Sequence, residues 1–95
     1  MSETAAGFDW DEANRGHIAR HRVTPEEFEQ AINNDPVELG SALVNGEQRT
    51  KVAAITDRGR ILEMIYAFRR GRIRAVTAYP ANKKKREAYR GYFQK

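Results

Sequence analysis

Four arginines, Arg69, Arg70, Arg72 and Arg74, fall within six residues around an Arg-Gly turn. Guanidinium groups bind phosphate oxygens through paired N–H donors. Arg72 and Arg74 are two positions apart, so in a strand they share a face. Tyr66 lies in the preceding apolar segment and Tyr79 ends the following one. Phenols hydrogen-bond or stack on bases. Gly46-Glu47-Gln48-Arg49 adds a carboxylate and another guanidinium beside a hairpin signal. Lys83-Lys84-Lys85-Arg86 opens a C-terminal helix, where positive charge opposes the helix dipole. RNA cleavage without a metal needs a base for the ribose 2′-hydroxyl, cations for the charge growing on phosphate, and an acid for the leaving 5′ oxygen. His21, Glu47, Arg49, Arg74 and Tyr79 are the catalytic candidates, provided the fold gathers them. Arg69, Arg70, Arg72, Lys83, Lys84 and Arg86 are candidates for holding RNA. A solubilising, solvated face is the plain alternative for any one of these runs.

Other chemistries are excluded or poorly supplied. The chain has no cysteine, so disulfides, cysteine zinc sites and iron–sulfur clusters are ruled out. His17 and His21 have the i, i+4 spacing of a zinc-binding helix, but Ile18 stands where that motif carries Glu. No third ligand is placed, so the pair reads as two helix-end histidines and no metal is expected. There is no Walker loop, dinucleotide fingerprint or nucleophile elbow, and no cofactor is expected.

The elements that must position these groups fit one domain. Ninety-five residues leave no room for two cores. Residues 1–7 are small and polar and read as a flexible lead into a domain over 8–95. The first ten residues lack the apolar region of a secretory signal. The longest apolar stretch, Ile61 to Phe68, is eight residues and carries Glu63, far short of the ~20 needed to span a bilayer. No membrane association and a cytoplasmic location are expected. The net charge of +4 conceals a division. Residues 1–68 carry seven basic and twelve acidic residues, whereas residues 69–95 carry ten basic residues against Glu87 alone.

Asp11 is a fitting N-cap for a helix over Glu12 to His21, weakened by Gly16. Thr24-Pro25-Glu26-Glu27 opens a second helix with a capping Thr, Pro at the first position and Glu three after the cap. Phe28, Ala31 and Ile32 give it an apolar face, and Asn33-Asn34-Asp35-Pro36 ends it. The period then changes. Leu39 to Val44 and Gln48 to Thr56 read as strands about the hairpin signal Asn45-Gly46. Ile61 to Phe68 reads as a central strand covered on both faces, and Ile73 to Tyr79 as a fourth strand. Asn82 can cap a last helix, Lys83 to about Phe93. The expected class is α+β: two helices, a four-stranded antiparallel meander, and a C-terminal helix.

The order of these motifs resembles the BrnT family of type II toxin–antitoxin ribonucleases, from about Phe8 to Tyr89. Phe8-Asp9-Trp10-Asp11-Glu12-Ala13-Asn14 is similar to the family's Phe-x-Trp-Asp-x-x-Lys/Asn opening. Arg20-His21-Arg22-Val23 resembles Lys-His-Gly-Val, and Gly46-Glu47-Gln48-Arg49 resembles Gly-Glu-Glu-Arg. Gly59-Arg60-Ile61-Leu62, Ile73 to Ala78, and the basic helix from Asn82 to Tyr89 complete the likeness. It implies a RelE/ParE-like fold, metal-independent RNA cleavage in a bacterial cytoplasm, and neutralisation by a cognate, BrnA-like antitoxin. By motif position it points to His21, Glu47, Arg49, Arg60 and Arg74, which adds Arg60 to the RNA-binding candidates. The family commonly has Arg in place of Tyr79, Glu in place of Lys85 and Gly in place of Arg22. The Tyr79 and Lys85 departures keep open a nucleic-acid-binding module without catalysis, and the basic face leaves a third reading, a domain that docks an acidic protein.

Overall fold

A computed structural model gives the architecture and describes residues 7–93. Apart from Gly7, the stretch expected to be flexible lies outside the described residues. Helices α1 (Glu12–Ala19) and α2 (Pro25–Asn33) precede strands β1 (Val37–Val44), β2 (Glu47–Ile55), β3 (Ile61–Arg69) and β4 (Arg72–Pro80). Helix α3 (Lys83–Phe93) follows. The sheet is an antiparallel meander in the order β1-β2-β3-β4, so the expected α+β class is the observed one.

Local chemistry accounts for the element boundaries. Both N-terminal helices start with a capping box: Asp11 with Asn14, and Thr24 with Glu27. Helix α1 stops at Ala19, two residues short of the expected His21, which lies within a turn over residues 20–22 instead. The turn needs Arg22 at φ 61°, in the left-handed region. A side chain there costs about 1 kcal/mol that glycine avoids. The Asn45-Gly46 and Arg70-Gly71 turns have positive φ at both central residues, the pattern of type I′ hairpins. Asn82 caps α3 by accepting from the Lys85 N–H at 2.9 Å.

Directly paired residues share a sheet face, so the register sorts the side chains. One face presents Thr50, Tyr66 and Ala75 in a row, then Val52, Met64 and Ala78, then Ala54, Leu62 and Pro80. Helices α1 and α2 and the turn between them cover it with Ile18, Val23, Phe28 and Ala31, and this is the main core. Phe8 and Trp10 meet the Phe28 ring edge-on at 6.4 and 5.5 Å. The opposite face presents Arg49, Ala67 and Arg74, then Lys51, Ile65 and Thr77, then Ala53, Glu63 and Tyr79. A β-bulge in β4, between the pairs Ile65↔Thr77 and Tyr66↔Ala75, shifts the parity of the strand. Without it, Arg74 and Tyr79 would point to opposite faces. With it, both join the polar face.

The edges of the sheet differ. Phe8 bridges to Ile73, and residues 7–9 bond its backbone at 2.9 and 3.0 Å, covering the outer side of β4. Asn14 then pins α1 beside the same strand, donating to the carbonyls of Asp9 (2.9 Å) and Ala75 (3.4 Å). Helix α3 has no buried residue, and polar contacts to Glu63 hold it over the second face.

Candidate active site

The polar face carries two groups of functional side chains. The first lines a cleft of about 400 Å³ formed by Glu47 and Arg49 of β2, Arg69 of β3, Arg74 to Val76 of β4, and Ala13, Asn14 and His17 of α1. Glu47 and Arg49 sit two apart at the start of β2, on one side of the strand. Their carboxylate and guanidinium meet at 2.9 Å and are about one-third exposed. Arg74 lies in the same cross-strand row as Arg49, two strands away or roughly 10 Å. Its Nη1 is buried, 2.8 Å from Asp11 Oδ2 and 3.9 Å from Asp9 Oδ2. The Asp11 carboxylate is therefore the close partner of this guanidinium. The Asn14 backbone N–H and the Arg74 side chain hold the Asp11 carboxyl below its ordinary range. Arg69 also approaches Asp9, at 4.0 Å. A concavity of about 220 Å³ continues from Asp9 and Arg69 to Arg70 and Arg72.

The second group surrounds Glu63, whose side chain is 1% exposed. The Tyr89 hydroxyl donates to its Oε2, Lys85 Nζ lies at 3.2 Å and Lys51 Nζ at 3.9 Å. Burial pushes this carboxyl up, but the Tyr89 and Lys85 donors, the Lys51 charge and the Tyr79 hydroxyl outweigh it and hold it low. Burial and the adjacent Glu63 push the Tyr89 phenol up to about 12.

The structure therefore divides the sequence-derived catalytic candidates. Glu47, Arg49 and Arg74 share the cleft. His21 and Tyr79 stand apart, with ring centroids 6.0 Å from each other. Tyr79 is two rows from Arg74, roughly 13 Å along the sheet. Among the RNA-binding candidates, Arg69 joins the cleft and Arg70 and Arg72 its extension. Lys83 and Lys84 are exposed at the start of α3, and Arg86 turns back onto the Ala81 carbonyl at 2.9 Å. Arg60 lies at the far end of β3, where its Nη1 donates to both Glu27 carboxylate oxygens (3.0 Å) and the Arg22 carbonyl (2.7 Å).

Two further residues take part in these groups without having been candidates in the sequence. His17 lines the cleft, with Nε2 at 3.0 Å from Thr77 Oγ1. The signal was its position three after Asn14, which puts both on one side of α1. Glu63 was visible only as a carboxylate interrupting an apolar run. Among the described residues, no group of three His, Cys, Asp or Glu is placed to hold a metal ion. No helix among them is long and apolar enough to cross a membrane.

A sequence model of the family described as the ribonuclease toxin, BrnT, of a type II toxin–antitoxin system matches residues 10–85. The chain belongs to this family. The match ends at Lys85, so it takes in the whole cleft and leaves out Tyr89. Comparison with curated proteins and with solved structures returned no match. Membership makes the chain a toxin of the ribonuclease kind and implies an antitoxin partner.

Proposed function

We propose that this toxin cuts RNA in the Glu47–Arg49–Arg69–Arg74 cleft, by attack of a ribose 2′-hydroxyl on the adjacent phosphate and without a metal ion. The observation that carries the reading is a carboxylate, three guanidinium groups and an imidazole lining one open concavity. In this scheme Glu47 takes the 2′-hydroxyl proton as the 2′ oxygen bonds to phosphorus. The bond from phosphorus to the 5′ oxygen breaks, and His17 in its protonated form supplies the proton to that leaving oxygen. The products are a 2′,3′-cyclic phosphate and a free 5′-hydroxyl. Arg49, Arg69 and Arg74 neutralise the negative charge that grows on the phosphate. The pairing of Arg74 with Asp11 holds its guanidinium in the cleft wall, fixed in place for that role.

The proposed setting is the bacterial cytoplasm, where a BrnA-like antitoxin silences the toxin by covering the basic cleft. The deciding experiment incubates purified protein with RNA in excess chelator and analyses the fragment ends. Fragments with cyclic phosphate and 5′-hydroxyl ends are expected, and Arg74→Ala should slow their appearance about 100-fold. Intact RNA from a folded protein refutes the cleavage reading. Binding without cleavage would make the chain a nucleic-acid-binding module instead.

A further inference from the structure

Asn14, His17 and His21 are spaced three and four apart, which aligns them along one side of α1 and the turn that continues it. The helix is fixed beside β4 by the Asp11–Arg74 ion pair and by the bonds from Asn14 to Ala75 and between His17 and Thr77. One helical turn rises 5.4 Å and two strand residues span about 6.7 Å, so successive helical turns face successive positions on β4. His17 thus meets Thr77, and His21 meets Tyr79.

The outcome is a continuous line of three rings. His17 and His21 are 5.6 Å apart at 63°, and His21 and Tyr79 are 6.0 Å apart at 65°. In an edge-to-face pair one ring covers a single face of its partner with its edge, and its own two faces stay clear of that contact. His21 is exposed, so its ring contributes little to the core. The line starts at the wall of the arginine cleft and ends near the exposed Lys83 and Lys84 that follow β4. Cations at both ends with aromatic rings between them are what single-stranded nucleic acid requires: phosphates meet charge and bases meet rings.

We propose that His21 and Tyr79 form a stacking subsite for an unpaired base of the RNA strand, beside the nucleotide whose phosphate lies in the arginine cleft. This deepens the ribonuclease reading and rests on it. It also gives His21 and Tyr79 a role that their distance from Glu47 does not forbid.

The test measures binding of a short, 2′-O-methylated and therefore uncleavable RNA, across a salt series. His21→Ala should weaken binding roughly 5- to 150-fold, the range for losing one base–aromatic stack. The slope of log affinity against log salt should stay the same, because no phosphate contact is lost. Arg74→Ala should reduce that slope by about 0.7. His21→Phe and Tyr79→Phe should retain most of the affinity, since both keep a ring. Removing single bases from the RNA should reveal one position whose loss weakens the wild type but not His21→Ala. Affinity within twofold of wild type in His21→Ala overturns the subsite, and so does a reduced salt slope in that variant. Either result leaves the ribonuclease reading standing if wild-type protein still cuts RNA. Failure of the wild type to bind RNA removes both.

Discussion

Glu47 and Glu63 lie on the same side of the same sheet, yet their surroundings oppose each other. The Glu47 side chain is 36% exposed and meets one guanidinium at the mouth of an open cleft. The Glu63 side chain is 1% exposed, lies beneath α3 and is surrounded by two ammonium groups and a phenol donor. A carboxylate at an open rim exchanges protons with water and with a bound substrate. A buried one with several donors is held ionised and becomes a structural anchor. One residue type on one face thus supports a catalytic proposal at one place and holds a helix at another.

The largest effect expected from this contrast is on rate. Glu47→Gln removes the proposed base and should slow RNA cleavage by 100-fold or more. Its pair with Arg49 is exposed enough that unfolding in urea should change by less than about 0.5 kcal/mol. A loss of stability comparable with the loss of activity would put Glu47 in the same class as Glu63.

Glu63→Ala should show the opposite profile. Removing one partner of a fully buried charge pair costs about 3–5 kcal/mol. Lys51 and Lys85 are 38% and 46% exposed and can turn to water, which limits the loss here to roughly 2–3 kcal/mol. Urea unfolding gives the number, and amide exchange in α3 should rise first because no buried side chain secures that helix.

These two residues also show what the sequence could disclose. Caps and tight turns were legible because their causes are local: Thr24-Pro25 starts α2, and Asn45-Gly46 and Arg70-Gly71 join strands. Glu47, Arg49 and Arg74 stood in one candidate set with His21 and Tyr79, and the cleft gathers only those three, because the β1–β2 and β3–β4 turns lie at one end of the sheet. Arg69, expected only to hold RNA, joins them there. The bulge in β4 was not legible. Strict alternation from Arg74 sends Tyr79 to the core face, and only the pairing register reverses this. His17 is legible in sequence only as one of two helix-end histidines, because its place in the cleft is set by Thr77, 60 residues away. Glu63 could be seen as an anomaly in an apolar run, but its partner Tyr89 is 26 residues on and shares no motif with it.

The Glu63 cluster also predicts a pH window for the attachment of α3. The Glu63 carboxyl is held below its ordinary 4.5, so its contribution is present above that value and lost as the pH falls through the folded-state pKa. The Tyr89 phenol is raised from 10 to about 12, so its contribution is complete below pH 10 and lost as the pH rises toward 12. Phenolate absorbance should show one tyrosine titrating near 12 in the wild type. In Glu63→Ala that tyrosine should return toward 10, because burial loosens and the neighbouring negative charge is gone. A Tyr89 that titrates near 10 in the wild type would mean that α3 is not anchored by this contact.

The smallest effect separates the arginines. Arg60 and Arg74 both stand beside strand residues and both pair with acids, but at opposite ends of the sheet. Arg60 is occupied by Glu27 and by the carbonyl of Arg22, and so ties α2 to the β2–β3 turn. Burial pushes the Glu27 carboxyl up, but the Thr24 backbone N–H and then the Arg60 guanidinium outweigh it and hold it low. The pair is about one-third exposed, so Arg60→Ala should lose only about 1 kcal/mol of stability. RNA affinity and its salt slope should remain those of the wild type, whereas Arg69→Ala should reduce the slope by about 0.7. A reduced slope in Arg60→Ala would extend the RNA path along the full length of β3, past the Glu63 anchor, and the division of the face into a working end and a fastened end would have to be abandoned.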